Sequence, residues 1–128
     1  MKLLLDTHIW LWALHEPRRL KKTLLRELRN EENELWISPI STWEALVLHA
    51  KGRVNLGNNL GDWLRRATAA TREAPLTHEI ALAAQALRLH RDPADRFLAA
   101  TALVLDLVLV TADQRLLRLR DIRTLANR

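Results

Sequence analysis

Four acidic side chains, Asp6, Glu44, Asp95 and Asp113, are the residues of this chain best placed to do chemistry as a set. Asp6 directly follows the apolar run Leu3-Leu4-Leu5. Glu44 follows Trp36-Ile37-Ser38, in the first turn of the expected next helix. Asp95 lies in the first turn of a helix opened by Asp92-Pro93, and Asp113 follows Leu109-Val110-Thr111. If the apolar runs are strands of one parallel sheet, all four acids project from the edge formed by the strands' carboxyl ends, where open sheets bind their ligands. Carboxylates crowded together repel, and one takes up a proton unless a cation sits among them. Mg²⁺ or Mn²⁺, hard ions that take oxygen ligands, suit such a cluster. Ions of this kind lower the pKa of water and stabilise in-line displacement at phosphorus.

Each acid also has a purely structural explanation. Ser41-Thr42-Trp43-Glu44 fits a capping box, in which the glutamate returns a hydrogen bond to the serine backbone. Asp92-Pro93-Ala94-Asp95 reads as an N-cap, a proline at the first helical position and an acid at the third. Asp6 and Asp113 can cap the helices that follow them, and acids in a first turn complement the helix dipole. Capping does not require that the acids follow strands, however, and the helix around Leu24 opens on Arg18-Arg19 instead. The joint pattern, not any single acid, points to a site.

Other chemistries find less support. The chain has no cysteine, which removes disulfides, thiolate zinc sites and cysteine nucleophiles and suits a reducing cytoplasm. Its three glycines form no phosphate-binding loop, and the Gly-x-Ser-x-Gly elbow of serine hydrolases is absent. His8, His15, His49, His78 and His90 show no paired zinc-ligand spacing. Of the five tryptophans, Trp10 and Trp12 lie two apart on an expected helix and so face different sides. Either at least one of them faces a partner, or both are partly buried in the monomer.

The elements that must position the acids alternate between short apolar runs and longer amphipathic stretches. Strands are expected at Lys2 to Leu5, Glu34 to Ser38 and Leu107 to Val110, with a short one at Pro75 to Thr77 and an edge strand at Ile122 to Leu125. Helices are expected over Thr7 to His15, Pro17 to Asn30, Thr42 to Lys51, Asp62 to Glu73, His78 to His90, Pro93 to Leu105 and Gln114 to Leu119, with Gly52 terminating the third. This alternation predicts an α/β domain: a mostly parallel sheet of four to five strands, with helices on both faces. At 128 residues the chain fits one domain, 1–128. No apolar stretch reaches the roughly 20 residues needed to span a bilayer, so a soluble protein is expected.

The formal charge is +5, and sixteen of the twenty basic residues are arginine, the side chain that best matches phosphate geometry. Net charge speaks to association with polyanions rather than to chemistry.

Four segments together, Leu3-Leu4-Leu5-Asp6-Thr7-His8, Ser41-Thr42-Trp43-Glu44, His90-Arg91-Asp92-Pro93-Ala94-Asp95-Arg96 and Val110-Thr111-Ala112-Asp113, resemble the PIN-domain nucleases of the VapC toxin type in order and spacing over nearly the whole chain. The resemblance implies a three-layer α/β/α fold and an acidic pocket that binds Mg²⁺ or Mn²⁺ and cleaves RNA endonucleolytically. It also implies a small antitoxin that wraps the nuclease, and a homodimer. Asp6, Glu44 and Asp95 match the family's core acids, and Asp113 matches the more variable fourth. On this reading Asp6, Asp95 and Asp113 hold the metal and Glu44 completes its shell or orients the attacking water. Thr7 and Thr111 bond the carboxylates or the scissile phosphate, Asp92 supports as an N-cap that can pair with Arg96, and Arg91 and Arg96 hold the RNA backbone.

Alternatives from other classes stay open at this point. One is a non-catalytic basic module that binds RNA or an antitoxin, its acids serving only as caps. Another is a nuclease acting on DNA, because metal-assisted phosphodiester cleavage needs no 2′-hydroxyl. A phosphatase or phospho-receiver fits worse: His8 stands where the former needs a second aspartate, and the Val110–Leu125 region lacks the latter's lysine.

Overall fold

The computed structural model describes residues 1–89 and 92–128. The strands are β1 (Lys2–Leu5), β2 (Glu34–Ile37), β3 (Arg72–Glu73), β4 (Val108–Thr111) and β5 (Thr124–Ala126), of which β1, β2 and β4 form from the apolar runs and β3 is charged and exposed. Their order across the sheet is β3-β2-β1-β4-β5, and every neighbouring pair is parallel. β1 lies at the centre, with Leu4 in register with Trp36 of β2 on one side and Leu109 of β4 on the other. The chain runs outward through β2 to β3, then returns past β1 to β4 and β5. That reversal opens a crevice at the carboxyl ends of β1 and β4.

Seven helices flank the sheet among the described residues: α1 (Thr7–His15), α2 (Lys22–Arg29), α3 (Pro39–Ala50), α4 (Leu60–Ala67), α5 (His78–Ala86), α6 (Pro93–Val104) and α7 (Gln114–Leu117). Strand alternation sorts the core into two halves. Leu3, Leu5, Val108 and Val110 join Ile9, Trp10 and Leu24 in one cluster, with Ala45 of α3 and Trp63 of α4. Leu4 and Leu109, both fully buried, join Ile80, Ala84, Leu98, Ala99 and Leu116 in the other. The first cluster packs α1–α4 on one face and the second packs α5–α7 on the opposite face, which is the expected three-layer α/β/α arrangement.

Several boundaries differ from the sequence expectation, each for a local reason. The Pro17 to Asn30 segment is not one helix. A 3₁₀ turn, Pro17–Arg19, ends where Leu20 turns extended and drops into the core at 4% exposure, and α2 starts two residues later. Strand β3 takes Arg72 and Glu73 out of the expected fourth helix, which stops at Ala67. Pro75 to Thr77 forms no strand; Thr77 instead caps α5, its hydroxyl accepting from Ile80 N at 3.2 Å. Helix α5 ends at Ala86, because Leu87 turns extended and buries itself; the expected helix end at His90 lies outside the described residues. Gly52 does terminate α3. At φ +73° its N–H donates to His49 O (3.0 Å), while Arg53 N donates to Leu48 O (2.9 Å), the paired bonds of a Schellman motif. Among the described residues no helix is long and apolar enough to cross a membrane.

Candidate active site

The crevice at the ends of β1 and β4 is a cleft of about 370 Å³ lined by Asp6, Glu44, Asp92, Asp95 and Asp113, together with Thr7, His8, Trp12, Ala112 and Arg115. All four acids singled out from the sequence meet there.

Asp6 sits one residue past β1 and is 9% exposed. It is both the N-cap of α1 and the floor of the cleft: Oδ1 accepts from Thr7 N (2.7 Å), while Oδ2 accepts from the buried Thr111 hydroxyl (2.6 Å). Asp113, N-cap of α7, accepts from Arg115 N (2.8 Å) and pairs with the Arg115 guanidinium at 3.2 Å. Its own N–H donates to Thr111 Oγ1 (3.0 Å). Asp92 caps α6, accepting from Ala94 N (3.0 Å) and Asp95 N (3.4 Å), and so fixes the turn that carries Asp95. Capping and site-building are thus the same act for Asp6 and Asp113, whose caps lie at strand ends, while Asp92 brings Asp95 to the crevice from the start of α6, which follows no strand.

Glu44 departs from its expected place. Helix α3 starts at Pro39, not Thr42, and its N-cap is Ser38, whose hydroxyl accepts from Ile40 N (3.1 Å). The expected capping box from Ser41 is therefore absent, and Glu44 lies beyond the first turn. Its Oε1 instead accepts from the Thr7 hydroxyl, which is also bonded to the buried Ser41 hydroxyl (2.9 Å). A threonine carries one hydroxyl proton. That proton goes to the carboxylate, and the Ser41 hydroxyl supplies the second bond. The signal available in the sequence was Ser38-Pro39, a cap followed by proline at the first helical position.

The acids of the cleft are shifted in different directions by their surroundings. Burial, followed in smaller part by the neighbouring Asp95, raises the Asp6 carboxyl above its ordinary value despite the bonds from Thr111 and Thr7. Burial likewise raises Glu44 against the Thr7 bond, with Asp6, Asp92 and Asp95 adding repulsion. Asp113 behaves oppositely. Its partial burial pushes up, but the hydrogen bonds and charge of Arg115 together outweigh this and hold it below the usual range. Arg115 is the residue that sequence reasoning missed, since only the turn of α7 brings it to the cleft.

Arg96, expected to hold the RNA backbone, has its guanidinium engaged by backbone carbonyls. Its guanidinium donates to Leu89 O (2.8 Å), Gln85 O (3.0 Å) and Leu87 O (3.0 Å), holding the C-terminal end of α5 and the loop beyond it, and it does not line the cleft. Arg91, expected beside it, lies outside the described residues.

The donor set fits a hard divalent cation. It consists of carboxylate and hydroxyl oxygens, two of the carboxyls are raised by burial and mutual repulsion, and Arg115 bonds directly to Asp113 alone among the acids. Among the described residues no three acid or histidine side chains converge as a complete metal-binding group.

Comparison with known proteins agrees with this architecture. The sequence profile of the family described as PIN domain matches residues 3–122. The chain is 34% identical over 115 residues, 88% of each chain, to Ribonuclease VapC22 of Mycobacterium tuberculosis. Among solved structures, VapBC2 from Rickettsia felis, bound to a DNA fragment from its promoter, superposes with a TM-score of 0.74 at 17% identity, covering 98% of both chains. A toxin–antitoxin complex from Klebsiella pneumoniae gives 0.69 at 21% identity, covering 96% of this chain and 95% of that one.

Proposed function

This chain belongs to the PIN-domain family, and from that premise we propose that it is a metal-dependent endoribonuclease, the toxin of a toxin–antitoxin pair, acting as a single nuclease domain over residues 1–128. The observation that carries the reading is the meeting of Asp6, Glu44, Asp95 and Asp113, far apart in sequence, in one cleft. Helix caps alone have no reason to converge. The ribonuclease name of a relative 34% identical supports RNA as the substrate.

Asp6, Asp95 and Asp113 would hold the Mg²⁺ or Mn²⁺, with Glu44 completing the shell or orienting the attacking water. The bound ion supplies a lowered pKa for water and neutralises charge building on the phosphoryl oxygens. Thr111 fixes the rotamer of Asp6, and Thr7 fixes Glu44. Arg115, exposed at the rim and shared between Asp113 and the cleft, is placed to meet a substrate phosphate.

An antitoxin partner is supported by the toxin–antitoxin complexes that share the fold. A homodimer is the assembly that the resemblance implies, and Leu82 of α5, 75% exposed, is a candidate contact. The absence of cysteine suits the cytoplasm, where RNA is met.

The test is incubation of the pure protein with a mixed RNA pool in Mg²⁺, Mn²⁺ or EDTA, followed by mapping of the cut ends. Defined internal cuts that EDTA abolishes, and that Asp6→Asn does not make, are expected. Cutting that survives chelation, or Asp6→Asn working at the wild-type rate, overturns the reading.

A further inference from the structure

One wall of the cleft is not used by the chemistry just proposed. On α1, His8 and Trp12 are four residues apart and so share a helix face. Their ring centroids lie 5.8 Å apart with planes inclined 31°, and both residues line the cleft. Beyond Trp12, the 3₁₀ turn sets the Arg19 guanidinium 5.3 Å from the Trp12 ring centroid, with the side chain 58% exposed. An imidazole, an indole and a guanidinium therefore run in file outward from the acids.

Core packing accounts for Trp10, which is 2% exposed, donates to Ala67 O at 3.4 Å and packs against Trp63. Trp12 is only half-buried: part of it packs against the same core, and its ring also meets His8 and the Arg19 guanidinium at a polar edge. Charge makes the edge more pointed. A cluster of carboxylates repels a phosphodiester chain, so a strand that threads it has to be gripped just outside by groups of the opposite kind. Arg18 and Arg19, adjacent and exposed on the 3₁₀ turn, follow Trp12, with Arg19 beside its ring and paired with the exposed Glu16 at 3.4 Å. Aromatic faces that stack unpaired bases, next to cations that follow the phosphates, are the recurring means of holding single-stranded nucleic acid.

We propose that the His8–Trp12–Arg19 file is a nucleotide subsite for single-stranded RNA: a base flanking the scissile phosphate stacks on the His8–Trp12 rings, and Arg18 and Arg19 take the neighbouring phosphates. The proposal rests on the ribonuclease reading and deepens it, because it makes unpaired RNA the substrate. Bases already stacked in a duplex cannot reach the rings.

The experiment uses a short RNA oligonucleotide containing a mapped cut site, intact or with an abasic residue beside the cut. Cleavage is measured with the wild type, Trp12→Ala, Trp12→Phe and Arg19→Ala. Binding is measured by fluorescence anisotropy in an Asp6→Asn background, so that it does not depend on turnover. Expected are a KM and Kd raised about tenfold by Trp12→Ala with kcat little changed, and recovery in Trp12→Phe. Arg19→Ala should lower the slope of log affinity against log salt by roughly one. The abasic oligonucleotide should bind the wild type about tenfold more weakly and erase the difference between wild type and Trp12→Ala. If Trp12→Ala does not fold, the abasic oligonucleotide and Arg19→Ala still decide. Equal binding of intact and abasic RNA by the wild type, or equal loss on both from Trp12→Ala, overturns the subsite and leaves the nuclease reading standing. A wild type that binds the oligonucleotide through Trp12 but cuts no RNA does the reverse.

Discussion

The buried Thr111 hydroxyl donates to Asp6 Oδ2 at 2.6 Å while accepting the N–H of Asp113 at 3.0 Å, so one side chain at the end of β4 ties together acids 107 positions apart in sequence. Thr111→Val keeps the shape and removes both bonds. It should cost about 1–3 kcal/mol of stability, since the buried Asp6 carboxylate and the half-buried Asp113 N–H lose their bonds. It should also weaken the Mg²⁺ dependence of RNA cleavage roughly 10–100-fold, as loss of an orienting partner does at metal sites. Thr111→Ser should recover most of both. Magnesium titrations of the cleavage rate and thermal melts separate the two effects, and an unchanged half-saturation would detach Thr111 from the metal.

Asp6→Asn should melt no lower than the wild type without metal, and higher at neutral pH. The folded chain holds the Asp6 and Glu44 protons more tightly than the unfolded chain does, because both carboxyls are raised, first by burial. The stability they contribute is full below the ordinary carboxylate range and is lost as pH rises through their raised folded values. The gap between variant and wild type should therefore open on going from acid to neutral pH. Adding Mg²⁺ should raise the wild-type melting temperature more at neutral pH than at acid pH, and Asp6→Asn much less at either. A metal-induced shift of equal size in the variant would remove Asp6 from the ion's shell.

Arg115→Ala should move two measurements in opposite senses. Arg115 holds the Asp113 carboxyl down through hydrogen bonds and charge, and thereby occupies a carboxylate that an ion would use. Its removal frees Asp113, so less Mg²⁺ should be needed for half-maximal cleavage, while KM for RNA should rise as a rim phosphate contact is lost. If both the Mg²⁺ requirement and KM stay at the wild-type values, the arginine is only a cap for α7.

Much of this arrangement was legible in the sequence because strands and caps leave local signatures. Leu3-Leu4-Leu5-Asp6 and Leu109-Val110-Thr111 announce buried strands running into polar turns, and Asp92-Pro93 announces a helix start; α1 and the start of α6 stand where the pattern put them. What failed depended on tertiary pairing. Arg72-Glu73 is only two residues long and exposed, so nothing but its ladder with Trp36 and Ile37 makes it a strand. Leu20 and Leu87 look like helix positions by spacing, yet each leaves the helix to enter the core. Glu44 lies one turn deeper in its helix than a cap at Ser41 implies, because two serines compete for the cap and Ser38, backed by Pro39, takes it. Arg115 carried no signal, since its role exists only once α7 folds back beside Asp113.

Arg96 offers the sharpest contrast between a sequence reading and a structural one. Beside Asp95, an arginine invites assignment as an RNA anchor, but its planar fork is committed to three carbonyl oxygens, those of Gln85, Leu87 and Leu89. Those carbonyls are left without helical partners by the end of α5, and a single guanidinium meets all of them. Lysine, a point charge without the fork, should not replace it. Arg96→Lys and Arg96→Ala should each lower stability, the alanine by about 2 kcal/mol given that the bonds are charge-assisted but only partly buried, or roughly 6–10 °C in melting temperature. At temperatures where the variants remain folded, KM for RNA and the salt slope of binding should stay near the wild-type values. A structural arginine thus shows itself in the melt and not in the salt titration. The opposite pattern, an unchanged melt with a salt slope reduced by about one, would return Arg96 to the substrate.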